Sequence, residues 1–329
     1  MKNYLTFLLK AVVSIALIWY LLSQTEFSAV YDSLKSANPY WLLLSFITLG
    51  IGKILTSYRW KVLLKAQNID ISLKFLIGSV FVGQFFNSFL PTTIGGDAMR
   101  AYDAAAQSKE STKSVMSVFA DRLIGVFALA LLGVAALIVG YISKEDVSFY
   151  VIPVLLVFFI CSFGMALIFN DSLVKLMERI LHSMRLSKLA TKLDEAYQSI
   201  HILKDKPGIL VITLIVSILL QINVILFFYF IGVSLELGVS LLYFTIIVPI
   251  ALIVLLVPFS INGIGIREGI FVILLTELGV QAKDAIALSW ISFGLMLTQG
   301  IIGGIIFAFR GINLRGSQVD PSVTQKPNN

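Results

Sequence analysis

Cysteine, histidine and charge are all scarce in this chain. Its one cysteine, Cys161, lies inside an apolar run, so neither a disulfide framework nor a cysteine metal site is available. The two histidines, His182 and His201, stand in a polar stretch where a solvated imidazole is the ordinary state. There is no HExxH, no P-loop, no Cys/His cluster and no nucleophile–histidine–acid set. Gly263-Ile264-Gly265 lacks the βαβ context of a dinucleotide fingerprint. These absences predict a protein that is not an enzyme and uses no cofactor and no metal. Without an ATP site, uphill transport would draw on an ion gradient or a partner.

Charged residues make up 13% of the 329 positions, about half of the roughly 25% usual in soluble domains. The formal charge of +6 needs no nucleic acid, because basic residues facing anionic headgroups account for it. What is abundant is apolar: 58% of the residues, with a mean hydropathy of +0.92. The charges cluster between long apolar runs, as in a polytopic membrane protein.

A spanning helix needs about 20 apolar residues. Candidate spans are 4–22, 40–58, 115–141, 147–169, 209–231, 241–257, a short 268–280 and 285–309. No small-residue cleavage site follows 4–22, so that run is expected to be kept as a span. Lys53, near the end of the second span, is expected to snorkel to the headgroups. The polar stretch 170–207 shows apolar residues at helical spacing and predicts surface helices along the membrane. The domain plan is one membrane domain over 1–312 and a disordered tail over 313–329.

Two interruptions carry the specific information. The run 75–90 stops at Pro91 and is followed by Gly95-Gly96-Asp97 and Arg100. Late in the chain, Pro258 precedes Asn262-Gly263-Ile264-Gly265-Ile266-Arg267-Glu268. Lys and Arg should gather in cytoplasmic loops. If every apolar run crossed, the basic stretches 59–74 and 170–207 would fall on opposite sides. If 75–96 enters and leaves on one side, both become cytoplasmic, with both termini. The fold class is therefore all-α: a polytopic helix bundle of about eight spans plus a re-entrant segment. The location is the cell membrane, multi-pass. Irregular backbone at membrane depth is tolerated where it lines a polar cavity, so the two breaks imply one.

Each break should restart a helix whose first N–H groups point at that cavity. Glycine gives backbone access, and Arg100 or Arg267 adds a fork that suits phosphate. Interrupted helices in two halves point to a transporter's binding site. The expected substrate-binding residues are Asn87, Gly95, Gly96, Asp97, Arg100, Asp121, Arg122, Asn262, Gly263, Gly265, Arg267 and Glu268. The plainer account makes Asp97 an N-cap, Asp97–Arg100 a local pair and Asp121-Arg122 a snorkelling pair. Gln84 and Asn87 share one helix face. Gln221, Asn223, Gln299 and the Gly300, Gly303, Gly304 stripe read as helix-packing positions.

Phe86-Asn87-Ser88-Phe89-Leu90-Pro91, Gly95-Gly96-Asp97-Ala98-Met99-Arg100-Ala101-Tyr102 and Ser117-Val118-Phe119-Ala120-Asp121-Arg122-Leu123-Ile124-Gly125 together resemble the flippase-like lysylphosphatidylglycerol synthase transmembrane-region family. Arg59-Trp60 and the Asn262–Gly269 stretch match its other marks, in order, over about residues 5–312. The resemblance implies a multi-pass protein that handles an amphipathic lipid. It also implies a stand-alone member without the soluble aminoacyl-transferring domain, so synthase activity is not carried over.

The reading is a lipid flippase or transporter for an anionic phospholipid or a polyprenyl-phosphate headgroup. The alternative is an integral-membrane glycosyltransferase using a lipid-phosphate sugar donor, with Asp97 as base. A structural membrane subunit would follow if the motifs proved packed without a cavity. The expected partners are membrane lipids, with a homo-oligomer or a separate lipid-modifying enzyme as protein partners.

Overall fold

The computed structural model describes residues 33, 35–89, 95–169, 171–183, 191, 197, 206–256 and 263–316. The expected first span at 4–22, Asn262, His201 and the tail beyond 316 lie outside these residues. Among the described residues there are ten helices and no strand. They are α1 (Pro39–Ala66), α2 (Leu73–Phe89), α3 (Gly95–Ser108), α4 (Ser111–Ile142), α5 (Ser148–Phe169), α6 (Asp171–Ser183), α7 (Pro207–Ser234), α8 (Leu241–Val254), α9 (Ile266–Thr276) and α10 (Ala282–Gly316).

Local sequence explains the boundaries. Asn38 caps α1 by accepting from the Tyr40 N–H at 3.0 Å, and Pro39 occupies the first turn, where its missing donor costs nothing. Asn68 ends the α1 region at φ 61°, a conformation that asparagine tolerates better than most residues. Asp146 accepts from the Ser148 N–H and opens α5.

Among the described residues, four helices are long and apolar enough to cross a membrane: α1, α4, α7 and the 282–310 part of α10. They bear apolar side chains outward, as Ile47 and Ile54 do on α1 and Ile215 and Leu219 on α7. On α5, Ile152, Phe159, Ile160 and Phe163 are likewise exposed. α1 runs antiparallel to α7, joined by Ser45 Oγ donating to the Phe227 carbonyl at 3.0 Å and Asn38 N–H to the Ser234 carbonyl at 2.9 Å. In lipid, such polar contacts and close packing hold helices together, because apolar area alone gives little preference for helix over lipid.

α2 with α3 and α8 with α9 form two hairpins that enter from opposite ends of the bundle. The proximal end carries the α1–α2 turn, the α3–α4 turn and Arg310. The distal end carries the α4–α5, α7–α8 and α9–α10 turns. α2 starts at the proximal end, where Arg310 donates to the Phe75 carbonyl at 2.7 Å. α3 retraces it: Gly96 lies against Gly83, and Asp103 against Ser79. Seventeen and fourteen residues rise roughly 25 and 21 Å, short of the ~30 Å hydrocarbon thickness. The re-entrant segment expected at 75–96 is thus a hairpin over 73–108. Its polar return limb extends further than expected, because its polar residues face buried partners.

The second hairpin is α8 and α9. Tyr243 Oη donates to Glu145 at 3.1 Å, and Tyr150 Oη donates to the Leu274 carbonyl at 2.9 Å, which places both outer ends at the distal face. The two limbs have fourteen and eleven residues, roughly 21 and 16 Å. The stretches expected as crossings at 241–257 and 268–280 are therefore short limbs of one hairpin with both outer ends at the distal face.

α10 runs antiparallel along α2. A Cβ on Gly303 would collide with the Phe81 carbonyl, and one on Gly300 would lie 2.8 Å from Ser88 Oγ. The expected small-residue stripe therefore sets how close these helices come. The main apolar core gathers at the distal half around Phe227, Phe228, Phe244, Phe271, Leu274 and Leu288. A smaller cluster at the proximal end joins Trp60, Leu64, Leu76, Val80, Ala104 and Val118.

Candidate anion-binding cavity

The inner ends of the two hairpins' limbs meet at one cavity of about 410 Å³. α2 and α3 contribute Gln84, Asn87, Asp97 and Arg100. α8, α9 and their connection contribute Leu252, Leu255, Gly263 and Arg267. Through-helices close the wall: Arg59 from α1, Asp121 and Arg122 from α4, Gln221 from α7 and Phe293 from α10.

The first hairpin's charges form an alternating chain. Arg59 Nε donates to Asp121 Oδ1 at 2.6 Å, and Arg100 Nη2 donates to Asp121 Oδ2 at 2.9 Å. Arg100 Nη1 also reaches Asp97 Oδ1 at 3.4 Å, and Arg122 Nη1 donates to Asp97 Oδ2. Three arginines thus clasp two aspartates across α1, α3 and α4. Asp121 is 2% exposed, Arg59 4% and Arg100 7%, so water scarcely solvates the inner part of this network. Removing one partner from such a pair leaves an uncompensated charge costing about 3–5 kcal/mol.

Neighbours fix the arginines in place. The Arg100 guanidinium lies 4.5 Å from the centre of the Trp60 ring, and Trp60 is itself held by its indole N–H donating to Ser117 Oγ at 3.0 Å. Arg59 Nη1 donates to Ser217 Oγ at 3.0 Å. The buried Nε of Arg100 has no hydrogen-bond partner among the described residues. Lys53 does not turn toward the headgroups as expected. Its ammonium donates to Gln84 Oε1 at 2.7 Å, with no acidic partner shown among the described residues. It braces a residue of the cavity wall.

Backbone geometry shapes both turns. Asn87 Oδ1 accepts from the Gly96 N–H at 2.7 Å, and a Cβ on Gly96 would collide with the Gly83 carbonyl. In the second hairpin, Gly263 and Gly265 have φ of 73° and 84°, values that glycine adopts without strain. Glu268 reaches back to accept from the Gly265 N–H at 2.6 Å, which caps α9. Arg267 is 9% exposed, with its guanidinium 5.1 Å from the Phe293 ring centre.

The expected site therefore divides in two. Asn87, Asp97, Arg100, Asp121, Arg122, Gly263 and Arg267 line the cavity. Gly95, Gly96, Gly265 and Glu268 stand behind that wall: Gly95 opens α3, Gly96 permits the close approach of α2, and Gly265 and Glu268 start α9. They shape the backbone behind the cavity wall. Arg59, Thr56, Gln221 and Phe293 also line the cavity and were not expected there. Arg59 was hidden by Lys61 and Lys65 beside it, which make the stretch read as a headgroup-facing basic cluster. Gln221 donates to the Gly125 carbonyl at 2.8 Å, so it both packs helices and faces the cavity. No group of three or more His, Cys, Asp or Glu side chains suited to a metal ion occurs among the described residues.

A family model described as lysylphosphatidylglycerol synthase TM region matches residues 7–303. A UPF0104 membrane protein of Methanothermobacter thermautotrophicus is 24% identical over 294 residues, covering 83% of this chain and 87% of that protein. A UPF0104 membrane protein of Pyrococcus horikoshii is 22% identical over 330 residues, covering 93% of this chain and 96% of that one.

Proposed function

The chain belongs to the lysylphosphatidylglycerol synthase transmembrane-region family, and on that footing we propose that it carries the phosphate-bearing headgroup of an anionic lipid across the cell membrane. The substrate is a phospholipid or a polyprenyl-phosphate-linked lipid. One observation carries this reading: hairpins from opposite ends meet at a cavity lined by Arg59, Arg100, Arg122 and Arg267. Its volume of about 410 Å³ falls in the 300–1,000 Å³ range of small-ligand sites. That suits a headgroup, while acyl or prenyl chains stay in the bilayer. Guanidinium forks match the geometry of phosphate oxygens bidentately, as they do carboxylates. Small movements of either hairpin would open the same cavity toward one face or the other.

The proximal end is taken as cytoplasmic. It carries Lys61, Lys65, Lys109, Lys113, Lys206 and Arg310, against Lys35, Lys144 and Lys283 at the distal end, as the positive-inside rule asks. Glycosyl transfer is the weaker alternative. It needs a carboxylate base, and Asp97 has both oxygens engaged by arginines.

The test is transbilayer movement of fluorescent phospholipids in vesicles containing the purified protein. Native protein should accelerate movement of anionic lipids, and Arg100→Gln or Arg267→Gln should slow it at least about tenfold, as expected for loss of a charged hydrogen-bonding partner. Undiminished movement by both folded variants would remove the assignment. Transfer of labelled sugar by the purified protein would establish the alternative.

A further inference from the structure

Among the described residues, three amide side chains line the cavity, Gln84, Asn87 and Gln221. The partner of each settles which way it points. An amide has a carbonyl end that only accepts and an amino end that only donates. Gln84 Oε1 accepts from the Lys53 ammonium at 2.7 Å. An ammonium has no lone pair, so Gln84 cannot meet it the other way round. The Gln84 amino group therefore lies on the opposite side, where it donates one N–H to Ser88 Oγ at 3.2 Å and keeps a second. Asn87 Oδ1 accepts from the Gly96 N–H at 2.7 Å, another group that only donates, so Asn87 also presents its amino end. Gln221 is reversed. Its amino group donates to the Gly125 carbonyl at 2.8 Å, which leaves its own carbonyl as the end open to a ligand.

Lys53 stands midway along the 28-residue α1, about 20 Å from either end. Its four-carbon stem does not span that distance. An ionisable group so deep in a spanning helix points to function. What its bond to Gln84 achieves is a fixed sense for that amide.

We propose that these two donors and one acceptor select a headgroup carrying hydroxyls beside its phosphate, such as a glycerol or a sugar, with Lys53 as the positioning residue for Gln84. A hydroxyl both accepts and donates. It answers Gln84 or Asn87 with its lone pairs and Gln221 with its proton. An ammonium only donates, and would find two amino groups and the arginines facing it. The carboxylates of the lining are already taken, since both oxygens of Asp97 and both of Asp121 face a guanidinium. A simple alkyl ester would leave all three amides unanswered. The inference rests on the phosphate-headgroup reading above and narrows its substrate class to a lipid whose phosphate bears an uncharged polyol.

The experiment uses the full chain in phosphatidylcholine nanodiscs. Phosphatidylglycerol and phosphatidylethanol are phosphodiesters of equal charge that differ in the headgroup hydroxyls, so the ratio of their affinities separates the amides from the arginines. Native protein should bind phosphatidylglycerol at least about tenfold more tightly, as expected when buried hydrogen-bonding groups are answered by one lipid and not by the other. Lys53→Met together with Gln84→Met replaces both partners by apolar groups of similar shape, the change that disturbs folding least. It should reduce the preference to about threefold or less, with phosphatidylethanol binding little changed. Lys53→Arg, which also only donates, should retain the preference. Gln221→Met, on a different helix, should reduce it independently. Competition by glycerol phosphate, which has no chain, would support recognition of the phosphate–polyol group from any source. Retained preference without that competition would support recognition of a lipid-borne group. Equal binding of the two phosphodiesters, both weakened by Arg100→Gln, would overturn the hydroxyl proposal and leave the phosphate site standing. An unchanged preference in the folded double variant, or a parallel loss of both lipids, would also overturn it. So would phosphatidylethanolamine binding as tightly as phosphatidylglycerol. Binding of none of these lipids would overturn the phosphate reading itself.

Discussion

The two hairpins do the same topological work and are held by different forces. The first is secured by ions: Arg100 and Asp97 tie α3 to Asp121 and Arg122 of α4, Asp121 in turn pairs with Arg59 of α1, and Arg310 ties the hairpin to α10 through Asp103. The second is secured by packing: Phe244, Ile247, Val248, Phe271 and Leu274 sit in the main apolar core. Its one arginine lies against a phenyl ring, and its buried glutamate caps its own helix. Ion pairs can exchange one anion for another, whereas interlocked side chains have no such alternative. Under the proposed function, the first hairpin would yield to an incoming phosphate and the second would form the fixed wall against which that phosphate is held.

The largest expected effect lies in the first hairpin. Asp121→Asn would leave Arg59 and Arg100 facing each other without the carboxylate between them, at a cost of about 3–5 kcal/mol. Thermal unfolding in detergent should show this as a large loss of melting temperature or of folded yield. Asp121→Glu, which keeps the charge, should recover part of it. A melting temperature unchanged by Asp121→Asn would mean that ion pairing does not hold this hairpin.

Next is the contact that positions α2 on α10. Gly303→Val puts a branched side chain where the Phe81 carbonyl lies and should cost about 1–3 kcal/mol by overpacking. Hydrogen exchange should rise over 73–89 and stay unchanged over 241–254. Equal loosening of both hairpins would erase the contrast between them.

The smallest stability effect belongs to the second hairpin. Glu268→Gln keeps the shape of the cap but removes the charge at the start of α9, for about 1 kcal/mol or less. Its melting temperature should fall far less than that of Asp121→Asn. A comparable fall would show that the second hairpin also depends on charge.

Much of this architecture was legible in the sequence, and the gaps have physical causes. The first hairpin followed from charge placement, because a re-entrant segment changes the side on which every later loop falls. The second could not be found that way. Two crossings and one hairpin both return the chain to its starting side, so loops 232–240 and 279–284 fit either. Only the lengths of α8 and α9, fourteen and eleven residues, separate the two. Asp97, Arg100 and Arg267 were legible because charge beside glycine within an apolar run has few structural uses. Arg59 and Lys53 were not, since each can be explained by the nearby membrane surface. Their inward turn depends on Asp121 and Gln84, distant in sequence, which no local pattern reveals.

The central claim is that arginines from opposite hairpins hold one headgroup. A double-substitution cycle on lipid affinity tests it most directly, using phosphatidic acid with native protein, Arg100→Gln, Arg267→Gln and the pair. If both arginines grip the same phosphate, the second substitution should weaken binding far less in the presence of the first, with a coupling of about 0.5–3 kcal/mol. Losses that multiply independently to within about 0.5 kcal/mol would place the two arginines on separate ligands and contradict the account.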